Sequence, residues 1–199
     1  MIEATQKLIQ IKAHGEVTRI LDLESFFELL KDDDLAVGDE LITEDIDGKA
    51  IFQVADIRKK SVYMVRKFLL EGCKPMKDDD FDLISWLNTT YIDTLPGALT
   101  ARMKRRENDL IFLPREKEVF GETRYSDPEE KGKQWEIFKK TKQRIRLIGS
   151  RTGAACYWWE SSPHISNSTS FCVVSSAGTA AGSGAGPATG VLPCFRIAR

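Results

Sequence analysis

The sequence predicts an α+β fold. Short β-branched and aromatic runs crowd residues 35–65, helical periodicity marks two later segments, and strand signals return at 110–114 and near the C-terminus. With 199 residues the chain can bury a sizeable core, and 42% hydrophobic with 30% charged residues describes a globular protein. A formal net charge of −1 gives the whole molecule no field that draws in nucleic acid or an anionic membrane.

Residues 1–35 form an N-terminal strand and helix appendage. Lys7 to Lys12 alternates as a short strand does. The helix that follows has two possible starts: Asp22 as N-cap with Glu24 in the first turn, or Ser25 with Glu28 closing a capping box. Phe26, Phe27, Leu29 and Leu30 supply its apolar surface, and Lys31-Asp32-Asp33-Asp34 ends it. A second unit, 36–199, opens with strands at Glu40–Thr43, Ala50–Ala55 and Ser61–Val65, with Asp47-Gly48 as a hairpin turn. Leu83, Leu87, Tyr91 and Leu95 repeat at i, i+4, joined by Ile84 and Trp86, and predict a main helix stopped by Pro96-Gly97. Leu110–Pro114 reads as a short buried strand. A second main helix is expected from about Pro128 to Leu147, with Asp127 as N-cap, Pro128 at N1 and Glu130 completing a capping box. Gly132 weakens its first turn and makes Lys133 an alternative start.

The C-terminal segment differs in kind. Tyr157-Trp158-Trp159-Glu160-Ser161-Ser162-Pro163 opens it and Gly190-Val191-Leu192-Pro193-Cys194-Phe195-Arg196-Ile197 closes it. From Ser161 onward there is no Lys, Glu, Gln, Asp, Met or Trp. Cys172, Val174, Ser176, Gly178 and Ala180 alternate with Phe171, Val173, Ser175, Ala177 and Thr179, so a hairpin arm would send one set inward and the other to solvent. A plain Ser/Ala/Gly linker has no reason to end in an apolar run.

From Val37 to Ile197 the chain resembles a bacterial and phage domain family of unknown function with a C-type-lectin-like fold, shared with formylglycine-generating enzymes. The resemblance is carried by Asp82–Asn88, Ile111–Pro114 with Glu118–Gly121, Gln134–Phe138, and most strongly by Tyr157–Pro163, Phe171–Gly178 and Gly190–Pro193. It implies short twisted antiparallel strands, two main helices and long loops. Members include the variable proteins of diversity-generating retroelements, in which template adenines are miscopied and AAY codons become NNY codons. Such codons never encode Lys, Glu, Gln, Met or Trp, the residues missing after Glu160.

The resemblance implies a diversified ligand-binding protein with a variable region at about 157–197. Its variable positions carry over as His164, Ile165, Ser166, Ser168, Thr169, Ser170, Val173, Ser175, Ala177, Thr179, Ala181, Gly182, Ser183, Gly184, Gly186, Pro187, Ala188 and Thr189, with Leu192, Cys194 and Arg196 as weaker candidates. Ser162 stands where the family commonly has arginine, which makes it a further variable position or a sign of different local packing. Trp158, Trp159, Phe171, Val174, Gly190, Pro193 and Phe195 are the implied scaffold. The implied partner is a protein or a surface glycan, with no cofactor and no metal.

The chemical signals are weaker than this frame. Cys73, Cys156, Cys172 and Cys194 lack C-x-x-C spacing and suit buried thiols in a reducing compartment. A formylglycine-generating-enzyme-like oxidase with Cys172 or Cys194 as redox centre is the enzymatic alternative. His164 has no convergent partners for a zinc or catalytic site. Asp78-Asp79-Asp80 lacks the alternating ligands of a calcium loop. Lys139, Lys140, Lys142, Arg144 and Arg146 on the second helix are the one basic cluster, and Glu129, Glu130 and Glu136 dilute it as a nucleic-acid stripe. No apolar run reaches the ~20 residues of a membrane span, and Met1–Lys7 carries no Sec signal pattern.

Overall fold

A computed structural model describes residues 9–13 and 16–199. It is mixed α+β, mostly sheet with a few short helices, and no sheet among the described residues closes into a barrel. The main sheet has seven strands. β1 (Ile9–Ala13), β2 (Glu16–Leu21), β3 (Glu40–Asp45), β4 (Gly48–Arg58) and β5 (Ser61–Arg66) follow in order, then β12 (Cys194–Ala198) and β6 (Ile111–Phe112). All neighbours are antiparallel except β2 and β3, which α1 (Leu23–Lys31) connects. The chain's last strand thus lies between β5 and β6, which ties the C-terminal segment into the main sheet.

The N-terminal strand is found at Ile9–Ala13; Lys7, Leu8 and His14 lie outside the described residues. Asp22 is the N-cap of α1, its side chain accepting from the Ser25 amide at 2.8 Å, and Phe26 and Leu30 bury in the same core as Leu41 and Phe52. The helical stretch at 83–94 is broken into three geometries. It is α over Leu83–Trp86 (α2), π over Leu87–Tyr91 and 3₁₀ over Ile92–Thr94, followed by α3 (Gly97–Thr100). Its apolar face still points inward: Leu83, Leu87, Tyr91 and Leu95 are all buried.

The second main helix is absent. Pro128 to Leu147 holds one turn closed by the Glu130 amide on Asp127 O, a 3₁₀ turn at Glu136–Phe138, α5 (Thr141–Arg144) and β7 (Arg146–Leu147). Gly132 has φ 139°, a conformation no helix accepts. Trp135, Ile137 and Phe138 are all buried, which one helical face could not achieve at that spacing. The Trp135 amide bonds instead to Glu118 O of α4 (Glu116–Phe120) at 2.8 Å, so tertiary contacts override the capping signals.

β7 pairs with β8 (Ala155–Cys156), and β9 (Trp158–Pro163), β10 (Ser170–Val174) and β11 (Ala180–Gly184) form a separate sheet in the order β11-β10-β9. This sheet sits between two core layers. Trp159 and Val173 bury with Phe52, Leu87 and Phe195, while their chain neighbours Trp158 and Val174 bury with Trp135, Phe138 and Leu192. The expectation that the Val173 face meets solvent is therefore corrected: at its base the sheet is covered on both sides.

Candidate ligand-binding face

The frame expected from the sequence is buried. Trp158, Trp159, Val174 and Phe195 have no exposure, Gly190 and Pro193 are buried, and Phe171 is half-buried against Trp159 with ring centroids 6.5 Å apart. The indoles are anchored by their donors: Trp158 Nε1 bonds to Arg144 O at 2.9 Å and Trp159 Nε1 to Lys74 O at 2.8 Å. At Gly190 a Cβ would lie 2.6 Å from Leu69 Cδ1 and 2.7 Å from Tyr157 O, so the frame closes only with glycine there.

Three loops leave the sheet of β9, β10 and β11, two at one end and the 175–179 turn at the other. They are the 164–169 loop between β9 and β10, the 175–179 turn between β10 and β11, and 185–189 after β11. Long-range backbone bonds hold two of them. Ile165 N donates to Tyr125 O (2.7 Å), Ala185 N to Thr169 O (2.9 Å), Met76 N to Ala185 O (2.8 Å), and Lys74 and Thr189 exchange a pair. The turn closes on itself through Ser175 N to Thr179 O (2.8 Å), while Arg144 Nε donates to Gly178 O (3.0 Å).

The positions expected to vary divide into two groups. Ile165, Ser166, Ser168, Thr169, Ala177, Thr179, Gly182, Gly184, Gly186, Pro187 and Ala188 are exposed, and His164, Ala181 and Ser183 are half-buried. Ser162, Ser170, Val173, Ser175 and Thr189 are buried, as are the weaker candidates Leu192 and Cys194, so these seven leave the displayed set. Ser162 marks different packing: its Oγ accepts from Glu116 N at 2.9 Å and donates to Glu130 Oε1 at 2.6 Å. Gly182 and His164 are coupled across the sheet, since a Cβ at Gly182 would lie 2.7 Å from His164 Cδ2.

Beside His164 and Ile165 opens a cleft of about 750 Å³, within the size range of ligand sites. Distant segments build it: Ile84 of α2, Arg106 to Asp109 with Phe112, Arg115 ahead of α4, Asp127 to Lys131, and Ser161 to Ile165. Tyr125 stacks on His164 at its edge, ring centroids 5.5 Å apart. Only His164, Ile165 and Ser162's neighbours were singled out by pattern. Arg106, Asp109, Arg115, Tyr125 and Lys131 carry no local motif and are assembled by the fold alone.

Beneath β9 lies an unusual group. Glu160 is wholly buried and neither carboxylate oxygen has a hydrogen-bond partner. Burial, then Glu116 and Glu130, push its carboxyl well above the usual range. Glu116 is equally buried but accepts from the Arg124, Tyr125 and Ser126 amides and from Ser126 Oγ.

Burial pushes the Cys172 and Cys194 thiols up, away from the thiolate that redox chemistry needs. The basic cluster is dispersed. Arg146 is buried, pushed down to about 10 by desolvation, and bound to Gln53 Oε1 (3.0 Å) and Lys67 O (2.8 Å), while Lys139 pairs with Glu136 at 2.7 Å. Asp78, Asp79 and Asp80 are exposed, and no group of metal-ligating side chains is assembled among the described residues. No helix among the described residues is long and apolar enough to cross a membrane.

Residues 79–199, more than half of the chain, match a family described as a domain of unknown function (DUF6273). No curated protein and no solved structure matches the chain.

Proposed function

We propose, from the premise that the chain belongs to the DUF6273 family of domains of unknown function, that it is a ligand-binding protein with an exchangeable surface on a C-type-lectin-like scaffold. In this reading it is the variable protein of a diversity-generating retroelement, and it acts by recognition. The backbone is preorganised, so affinity comes from changing side chains without paying again for loop ordering.

One observation carries the reading. No displayed side chain between His164 and Thr189 hydrogen-bonds to a residue more than four positions away, although the backbone of the same loops is tied across the fold. Such side chains can change without removing a tertiary hydrogen bond. The missing Lys, Glu, Gln, Met and Trp after Glu160 support the same reading.

The test is a library randomised with NNY codons at Ile165, Ser166, Ser168, Thr169, Ala177, Thr179, Pro187 and Ala188, displayed and selected against an unrelated protein. Most members are expected to melt within about 3 °C of the parent, as surface substitutions do, and selection is expected to yield binders. Wholesale unfolding of the library would overturn the reading. A second test is genomic: a near-copy of the coding segment for 157–197 beside a reverse transcriptase, differing only at template adenines, is expected.

A further inference from the structure

We propose that the cleft beside His164 and Ile165 receives a basic side chain, lysine or arginine, presented by a protein partner. This rests on the ligand-binding reading above and adds the class of group that the unchanging wall of the site accepts. The cleft has an apolar part for an aliphatic stem, formed by Ile84, Phe112, Pro163 and Ile165, and a charged part for its head.

The sign of the head follows from which charges are already committed. Arg106 donates from Nη1 to Glu118 Oε2 at 2.8 Å and from Nη2 to Leu113 O at 2.6 Å, and its guanidinium lies 3.8 Å from the Phe112 ring centroid. Arg115 is paired with Glu107. Glu130 accepts from Ser162 Oγ and the Lys117 amide, and Asp127 Oδ1 caps the Glu129 amide. Three charged side chains of the lining are left without a side-chain partner: Lys131 and Asp127, which are exposed, and Asp109, which is half-buried, two acids against one base. Burial pushes the Asp109 carboxyl up, with Glu107 and Asp82 adding to it against the pull of Arg106 and Arg105. A cation placed at Asp109 restores what burial removed, whereas an anion there meets an unpartnered carboxylate with Glu107 and Asp82 acting in the same sense.

A protein fits the mouth better than a free small molecule. Ile165, 59% exposed, lines the cleft beside His164, and Tyr125, 37% exposed, stacks on His164, so an aliphatic and an aromatic anchor stand beside the polar socket, which is the composition of a protein interface.

The test uses the full chain, ¹⁵N-labelled, titrated with acetyl-Gly-Arg-Gly-amide and with its citrulline counterpart, which keeps the shape and removes the charge. The arginine peptide is expected to give saturable shifts at the Asp109, Asp127 and His164 amides, with the citrulline peptide about fivefold weaker or more. Asp109→Asn is expected to remove that difference while leaving the melting temperature and the citrulline affinity unchanged. Equal binding of the two peptides, no saturable shift at these amides, or Asp109→Asn without effect would each overturn the proposal. Putrescine binding as tightly as the peptide would overturn the protein partner. None of these outcomes touches the ligand-binding reading, which stands or falls on the folded library and its binders.

Discussion

The frame and the rim of the C-terminal sheet come from one stretch of chain, yet they are held by different bonds. In the frame, side chains reach far: the Trp159 indole bonds to a carbonyl 85 positions away and the Trp158 indole to one 14 positions away. In the rim only the backbone reaches far. Asn167 binds Thr169, Ser175 binds Thr179 and His164 accepts from the Ser166 amide, all within four positions. Side-chain identity is thus a structural constraint in the frame and a local matter in the rim. Substitution at paired positions can break or sharpen that division.

The largest expected effect is at Trp159. Trp159→Ala removes a wholly buried indole and leaves Lys74 O without its donor, so a loss of about 3–5 kcal/mol is expected in urea melts. Ile165→Ala, at an exposed position in the loop that follows the same strand, should change stability by no more than about 0.5 kcal/mol. Equal losses at the two positions would erase the division.

A similar loss is expected at Arg66, which supports the frame from below. Its guanidinium holds Asp45 through two bonds (2.7 and 3.2 Å), Asp47 at 3.0 Å, and the Phe68 and Leu69 carbonyls, while Tyr91 donates to Asp45 at 2.8 Å. Leu69 is the residue against which Gly190 packs. Arg66→Met strands a buried carboxylate, and about 3–5 kcal/mol is expected to be lost. The double change Asp45→Leu with Arg66→Met should recover part of it.

Glu160 is the exception inside the frame, a buried side chain with no bond at all. Its folded-state pKa is raised, so its contribution is fully present below the ordinary carboxylate pKa and is lost as pH rises through the raised value. The protein is therefore expected to weaken as pH rises above the ordinary carboxylate range. Glu160→Met should remove that part of the slope and add about 1–3 kcal/mol at pH 8, because an unpartnered buried polar group is replaced by an apolar one. Denaturant melts at three pH values decide it; an unchanged slope in the variant would rule out Glu160 as its source.

How far the sequence could be read follows the same division. The Leu83–Leu95 repeat, the cap at Asp22 (one of the two expected starts) and the strand β10 depend on neighbours in sequence and are legible there, whereas β11 is not. The helix expected at 128–147 was not found, because its capping signals are local while Glu118 O and the two core layers that claim Trp135 and Phe138 are distant. Alternation at Phe171–Thr179 marks the strand as far as Val174, but it misses the turn at 175–179 and misassigns Val173, since one period cannot tell a sheet covered on one side from a sheet covered on both. The cleft was illegible for a simpler reason: Ile84, Asp109, Arg115 and Lys131 share no spacing and meet only when the chain is folded.

The smallest effect tests whether the rim is as independent as its hydrogen bonds imply. Most displayed positions should behave additively, but Gly182 and His164 face each other across the sheet, and a methyl at Gly182 would reach to 2.7 Å of the imidazole. Gly182→Ala alone then forces the ring off its stack on Tyr125, whereas in a His164→Ala background the space is free. A double-mutant cycle by thermal melting is expected to show coupling of about 0.5–1 kcal/mol between them. The pair Thr169 and Ala177 should show none. If so, under the proposed binding role the residues at 164 and 182 have to change jointly: a large residue at one position requires a small one at the other, and the proposed face holds fewer independent choices than its exposed positions suggest.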